Sequence, residues 1–340
     1  MGTYRLILAL LVLVSHMGLT VLGLNPGVVA VISFFMLSGY VMTALIKRYY
    51  LAPRSIPDFY LDRLMRLQPQ YLFYLTLSVI YFFAADVHDF FVHAITWQSL
   101  ILNALIVPNS FYMTPLMADG VIIPPAWSLG LEACFYLVIP FLLIYRLRWL
   151  AFGSSLVVFL FAYSTTINTD WFGYRLLPGT LFMFLLGSFL YEKGRRERLA
   201  IVATCGLCCA LLVATLVFGV NRVPFNAEVL LGVVVGVPMI FLLAQRSSGR
   251  LDQLLGNISY GVFLNHFLLI WVWRTFGMTT PTHLDMLTLM AASMALGWVS
   301  YRLVEKPAIA LRSRLRKRMQ ASASASAARP TAFDQAPRPD

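Results

Sequence analysis

The chain has 340 residues, of which 59% are hydrophobic and only 12% charged. Apolar runs of about 18 residues or more recur along its whole length, which excludes a water-soluble globular protein. The net charge of +11 does not signal nucleic acid, because the basic residues stand in short clusters between apolar runs, as membrane topology requires.

Ten spanning helices are expected, at about 5–24, 27–46, 68–85, 127–145, 149–168, 175–191, 199–219, 227–245, 256–273 and 285–304. This is an all-α, polytopic integral membrane protein. The first run is too long for a cleaved signal and has no small-x-small site behind it, so it reads as a span. The stretch 90–107 is also apolar, but His93, Gln98 and Asn103 interrupt it, and it reads as an interfacial or re-entrant piece. One transmembrane domain covers 1–318. A tail over 319–340, with ASASASAARP and APRPD, reads as disordered.

Charge sets the expected orientation. Segments on the side of the N-terminus hold Lys47, Arg48, Arg54, Arg63, Arg66, Arg146, Arg148, Lys193, Arg195, Arg196, Arg198, Arg246 and Arg250, with further cations after Arg302. The loops of the other side hold Arg175, Arg222 and Arg274. This asymmetry predicts both termini in the cytoplasm and, for a bacterial chain, a place in the inner membrane. Cys134, Cys205, Cys208 and Cys209 all lie in apolar stretches, and the run Cys205-GL-Cys208-Cys209 has no His, Asp or Glu nearby, so neither a metal site nor a disulfide framework is expected.

Four groups of residues break the apolar pattern. In the first helix Arg5 and His16 are eleven residues apart, which puts them within about 20° on one helical stripe and about 16 Å apart along the axis. An ionisable side chain near mid-depth is costly unless it has a partner or a use. Between the second and third spans, Arg63 and Arg66 share one face at i, i+3 and make a phosphate clamp. At the fourth span, Trp127 and Ser128 precede Glu132, a carboxylate inside an apolar segment. On the ninth, Ser259 and Tyr260 lead to Asn265 and His266, again inside an apolar run.

Taken in order, these pieces resemble the membrane-bound acyltransferase-3 family, which includes sugar O-acetylases of bacterial envelopes. The matching residues are Arg5 and His16, Ser33-FFML-Ser38-Gly39-Tyr40, Arg63-LM-Arg66, Trp127-SLGLE-ACFY, Ser259-Tyr260-GVFLNH and Val304-Glu305-Lys306-Pro307, over roughly 5–310. Two positions depart from the family's pattern. Ala133 follows Glu132 where a second acid is usual, and Asn265 stands where an aromatic is common.

The resemblance implies transfer of an acyl group, in the first instance acetyl from acetyl-CoA, to a hydroxyl of an envelope or exported saccharide or glycolipid. No metal is implied. The lipid bilayer and polysaccharide-assembly proteins are the expected partners. His16 is then the general base or a covalent carrier of the acyl group, and the sequence leaves both open. Glu132 orients an imidazole or binds sugar hydroxyls. Arg5 holds the donor or the developing charge, Arg63 and Arg66 take the coenzyme phosphates, and Ser38 with Gly39 admits the thioester arm. Trp127, Ser128, Tyr260, Asn265 and His266 are assigned to the acceptor. A transporter or flippase for an envelope saccharide is the alternative. It accounts for ten helices and buried polar residues but not for a basic pair at a cytoplasmic mouth.

Overall fold

Gly18 decides where the first helix stops. In the computed structural model, which describes residues 1–85, 90–277 and 281–314, α1 (Gly2–His16) is followed at once by Gly18 at φ +89° and a tight reversal in which Val21 and Leu24 bond to each other. The expected span 5–24 is therefore cut to 15 residues. His16 is the last residue of a short helix and does not lie midway along a long one.

The reversal leads into α2 (Pro26–Tyr49), whose start is set by Pro26 at its first turn and by the Asn25 side chain, which accepts from the Gly27 and Val28 amides at 2.9 and 3.3 Å. Then come α3 (Ile56–Ala85), the short α4 (Trp97–Ala104), α5 (Ala126–Ile144), α6 (Arg148–Tyr163), α7 (Leu177–Glu192) and α8 (Arg195–Phe218). The described chain closes with α9 (Asn226–Leu243), α10 (Arg250–Thr275) and α11 (His283–Ser300). Among the described residues there is no named strand.

Seven helical stretches among the described residues are long and apolar enough to cross a membrane. They are α2, α5, Trp171–Glu192 with α7, α8, α9, α10 and His283–Arg314 with α11. α1 and α6 are apolar but shorter. α3 has the length, at 30 residues, but Asp58, Asp62, Arg63, Arg66, Gln68 and Gln70 stud its first half. It begins twelve residues before its expected start, because Pro69 lies inside it without ending it; neighbouring helices make such prolines tolerable in membrane proteins. Arg63 and Arg66 thus stand on a helix and not on a connection. Within the stretch 90–107, α4 turns Asn103 into the protein, fully buried, and leaves Trp97, Ile101 and Leu105 on its exposed side. The expected tail 319–340 lies outside the described residues.

α2 is the hub, packed against α1, α7 and α9. Its seam with α7 is a backbone-to-backbone approach. A Cβ on Gly39 would meet the Phe184 carbonyl, and one on Gly187 would meet the Met36 carbonyl. Small residues permit this closeness where lipid supplies no hydrophobic drive between helices. Phe184 stacks on Phe35 at 4.7 Å and on Phe135 at 4.3 Å, which ties α5 to the same seam. α1 and α10 lie side by side in the same direction. The Met1 ammonium and the Thr3 amide and hydroxyl all reach Asp252 (3.1, 2.8 and 2.9 Å) at one end, and His16 meets His266 at the other.

Ion pairs gather on the face that holds Met1. Besides Met1–Asp252, they include Arg63–Asp62, Arg66–Glu305, Lys47–Glu192 and Arg148–Glu192. The opposite face carries Asn25 with Glu228 and Arg175 with Asp170. These are called below the basic face and the far face.

The α2–α7 seam makes a direct prediction. Gly187→Ala, forced against the Met36 carbonyl, should lower the melting temperature of the detergent-solubilised protein, by an overpacking cost of about 1–3 kcal/mol. Gly206→Ala on α8, where an added Cβ meets nothing within 4 Å, should be neutral or stabilising by up to about 1 kcal/mol.

Candidate active site

Three recesses run from the basic face towards the far face. An entry cleft is bounded by Met1, Arg5, Arg66, Arg246 and Asp252. A central cavity of about 940 Å³ including its mouth shares Arg5, Arg66 and Gly256 with that cleft. Its walls include Ser38, Arg63, Ser128, Glu132, Tyr136 and Tyr260. A far cavity of about 460 Å³ including its mouth is lined by Ser15, His16, Asn25, Trp127, Ser128, Tyr174 and Arg175 among others. Ser128 and Phe263 border both the central and the far cavity, so they form the partition between them.

α1 spans the whole sequence of recesses. Arg5 faces the entry cleft and the central cavity, and His16 faces the far cavity. The eleven residues between them correspond to about 16 Å of helix. Among the described residues the Arg5 guanidinium has no hydrogen bond or ion pair. The two other arginines of the central cavity are occupied. Arg63 is paired with Asp62, which also draws Arg312 to 3.7 Å. Arg66 is paired with Glu305, itself 2% exposed, and lies over the Tyr260 ring at 5.4 Å. The expected free clamp of Arg63 and Arg66 is corrected accordingly. Each guanidinium is held by its own carboxylate, and Arg5 is the cation left over. Removing one partner of such a buried pair strands the other charge.

Glu132 sits in the central cavity, on α5. Its Oε1 accepts from the Ser38 hydroxyl at 2.6 Å and from the Tyr136 hydroxyl at 2.5 Å. Neither imidazole touches it. The structure therefore separates Glu132 from His16, and the reading in which Glu132 orients His16 gives way to one in which it organises the central cavity. Gly39 serves the α2–α7 seam and lines none of the recesses, which corrects its assignment to the thioester arm.

His16 is backed by His266. Their rings stack at 5.4 Å with a 16° tilt, and Phe267 closes on His16 at 4.8 Å. His266 is fully buried; its Nδ1 lies 3.3 Å from the Val262 carbonyl, and its Nε2 has no hydrogen-bond partner among the described residues. It borders none of the three recesses and meets them only through its contact with His16. Asn265 is likewise corrected. It donates to the Tyr74 hydroxyl and the Ser293 carbonyl and accepts from the Ser293 hydroxyl, so it joins α3, α10 and α11 and faces no recess. Tyr260 donates to the Leu67 carbonyl at 3.0 Å and belongs to the central cavity beside Arg66. Trp127 and Ser128 do reach the far cavity.

Sequence reasoning missed Arg175, which it counted only as an outer-loop cation. The residue ends a π-helical turn, Trp171–Arg175, ahead of α7. Its guanidinium stands over Trp127 at 4.8 Å, Tyr174 at 5.0 Å, Tyr112 at 5.3 Å and Phe225 at 5.5 Å. Its Nε donates to both oxygens of Asp170 at 2.8 Å. No local pattern marks it, because the rings that surround it come from four separate segments.

Comparison with known proteins bears on this geometry. A family model described as an acyltransferase domain matches residues 3–302. An uncharacterized protein of Aquifex aeolicus is 38% identical over 157 residues, 44% of this chain and 71% of that protein. A peptidoglycan O-acetyltransferase of Listeria monocytogenes is 23% identical over 326 residues, 83% of this chain, which spans about half (51%) of that protein. No solved structure matches.

The Arg66–Glu305 pair is testable by a double-mutant cycle. Glu305→Met or Arg66→Met alone should destabilise the purified protein by about 3–5 kcal/mol, and the double variant should recover most of that loss. Thermal denaturation in one detergent measures all three.

Proposed function

The chain belongs to the acyltransferase-3 family, and we propose that this acyltransferase takes its acyl group from acyl-CoA, in the first instance acetyl-CoA, in the cytoplasm and delivers it to a saccharide hydroxyl on the far side of the inner membrane. One observation carries the reading. Arg5 and His16 lie on one short helix, the first open to the basic face and the second to the far face, with adjoining cavities between them.

The donor suits the basic side. Coenzyme A is polyanionic, and the entry cleft offers Arg5 and Arg246, with Arg66 at the shared wall. Arginine holds phosphate through a planar fork of donors. The central cavity, narrow and walled by Phe34, Phe35, Leu37 and Phe263, suits the flexible arm that ends in the thioester. Glu132, with Ser38 and Tyr136 bonded to it, supplies fixed polar groups along that arm. The thioester reaches the partition at Ser128 and Phe263, within reach of the far cavity.

There the acceptor oxygen attacks the thioester carbonyl. The acyl carbon–oxygen bond forms, the carbon–sulfur bond breaks, His16 accepts the hydroxyl proton, and that proton leaves with the thiolate as coenzyme A. A hydroxyl is a poor nucleophile near neutral pH, and a positioned base contributes about 10²–10⁴-fold. A covalent variant, in which the imidazole takes the acyl group first and then passes it on, uses the same residue and the same two cavities. The basic face is assigned to the cytoplasm by its excess of Lys and Arg. With α1, α3 and α6 counted as crossing, ten spans and two cytoplasmic termini follow.

Two measurements test this. Purified His16→Ala should lose acyl transfer by at least about 10²-fold while keeping its melting temperature and its affinity for acetyl-CoA; near-normal transfer would remove His16 from the chemistry. Reporter fusions after Ser55 and Arg195 should score cytoplasmic, and fusions after Gly120, Asp170 and Arg222 external. A cytoplasmic score after Asp170 would overturn the orientation.

A further inference from the structure

The far cavity contains more than the base. We propose that it is the acceptor site, that it holds one pyranose unit of the saccharide, and that Arg175 is the residue that orients this unit for attack. The inference rests on the transferase reading and adds to it the place and the recognition chemistry of the acceptor.

Size comes first. Counted out through its open mouth, the space is about 460 Å³, which limits the occupant to a single sugar ring with its substituents. The chemistry of the walls comes second. A pyranose has apolar C–H faces and a rim of hydroxyls. The cavity has aromatic walls from Trp127, Tyr174, Phe225 and Phe263, and a polar rim from His16, Ser15, Asn25, Ser128 and Arg175. A mostly apolar cavity with a few fixed polar groups is the pattern of specific ligand sites.

The state of those polar groups decides the roles. The Ser15 hydroxyl donates to the Val12 carbonyl at 2.8 Å and the Ser128 hydroxyl to the Pro125 carbonyl at 3.1 Å, so each presents lone pairs to the cavity. Asn25 spends its Oδ1 on the amides of α2, which leaves its NH₂ as a donor. Arg175 spends its Nε on Asp170 and is clamped by four rings. No partner binds its terminal nitrogens among the described residues. The side chain is only 14% exposed, so these donors are held in one orientation without a bond of their own. The unused donors of the fork are open to the cavity, where a ligand can take them. The neighbouring Asp170 balances its charge, which favours hydroxyl and ring oxygens over a strongly anionic ligand. His16 looks into the same space. A hydroxyl held beside Arg175 is thus placed next to the base on one side and the partition to the central cavity on the other.

The test uses the full-length protein in nanodiscs, with radiolabelled acetyl-CoA as donor and, as acceptor probe, envelope saccharide stripped of its O-acetyl groups by mild alkali. Arg175→Ala should raise KM for the saccharide about tenfold or more, the loss expected for charge-assisted hydrogen bonds. Arg175→Lys, which keeps one donor, should fall between. Val31→Phe is a second variant that fills the same cavity from the α2 wall without touching Arg175, and it too should raise KM for the acceptor. Calorimetric affinity for acetyl-CoA should stay within twofold in all three. Saccharide KM unchanged in both Arg175→Ala and Val31→Phe overturns the proposal. A parallel loss of donor affinity overturns it as well, since Arg175 would then act on the whole fold. Failure of the wild-type protein to bind acetyl-CoA would instead strike the transferase reading itself.

Discussion

An ionisable side chain inside an apolar bundle has to be paired or put to use, because neither lipid nor packed hydrocarbon stabilises an isolated charge. That constraint sorts this protein's interior. Arg63 answers Asp62, Arg66 answers Glu305, and Lys47 and Arg148 share Glu192. All of these lie near one face, and all but the first tie one helix to another. Once they are assigned, Arg5 stands without an ion pair and His16 with only ring contacts, and both open into cavities. These two side chains, without an ion pair among the described residues, are the ones that the proposed transfer uses.

α1 acts as the spacer between those two. A helix of 15 residues is about 22 Å long, shorter than a full bilayer core of about 30 Å. Arg5 near its start and His16 at its end open into different recesses, which approach each other at Ser128 and Phe263. α10 runs alongside and sets the height. Asp252 pins the first turn of α1 at one end, and His266 supports His16 at the other. A longer first helix would carry the imidazole away from the partition at Ser128 and Phe263. The tight reversal at Gly18 is in this sense part of the site.

Glu132 and Arg175 show how one bundle divides labour between faces. Glu132 collects two hydroxyls around itself in the central cavity, while Arg175 is held by four aromatic rings and a single carboxylate at the far side. Cation–ring contacts of this kind grow stronger as water is excluded. They fix a guanidinium without consuming its terminal donors.

Composition and periodicity alone determined the class of this protein. Runs of apolar residues longer than a core helix needs admit only a helical membrane fold, and the interrupted runs pointed to Arg5, His16, Glu132 and His266. Residue order also carried the family, because its pieces recur along nearly the whole chain. Tertiary structure decided what each piece does. Helix ends were misjudged where a glycine or an internal proline, at Gly18 and Pro69, acted against the hydropathy pattern. Partnerships such as Arg66 with Glu305, 239 positions apart, leave no local trace, so a bound cation and a free one read alike in the chain. Asn265 and His266 are neighbours in sequence, yet one joins helices and the other stacks on His16, since adjacent residues on a helix point about 100° apart. The cavities themselves, and Arg175 in its cage, arise only where segments far apart in the chain converge, which no spacing rule encodes.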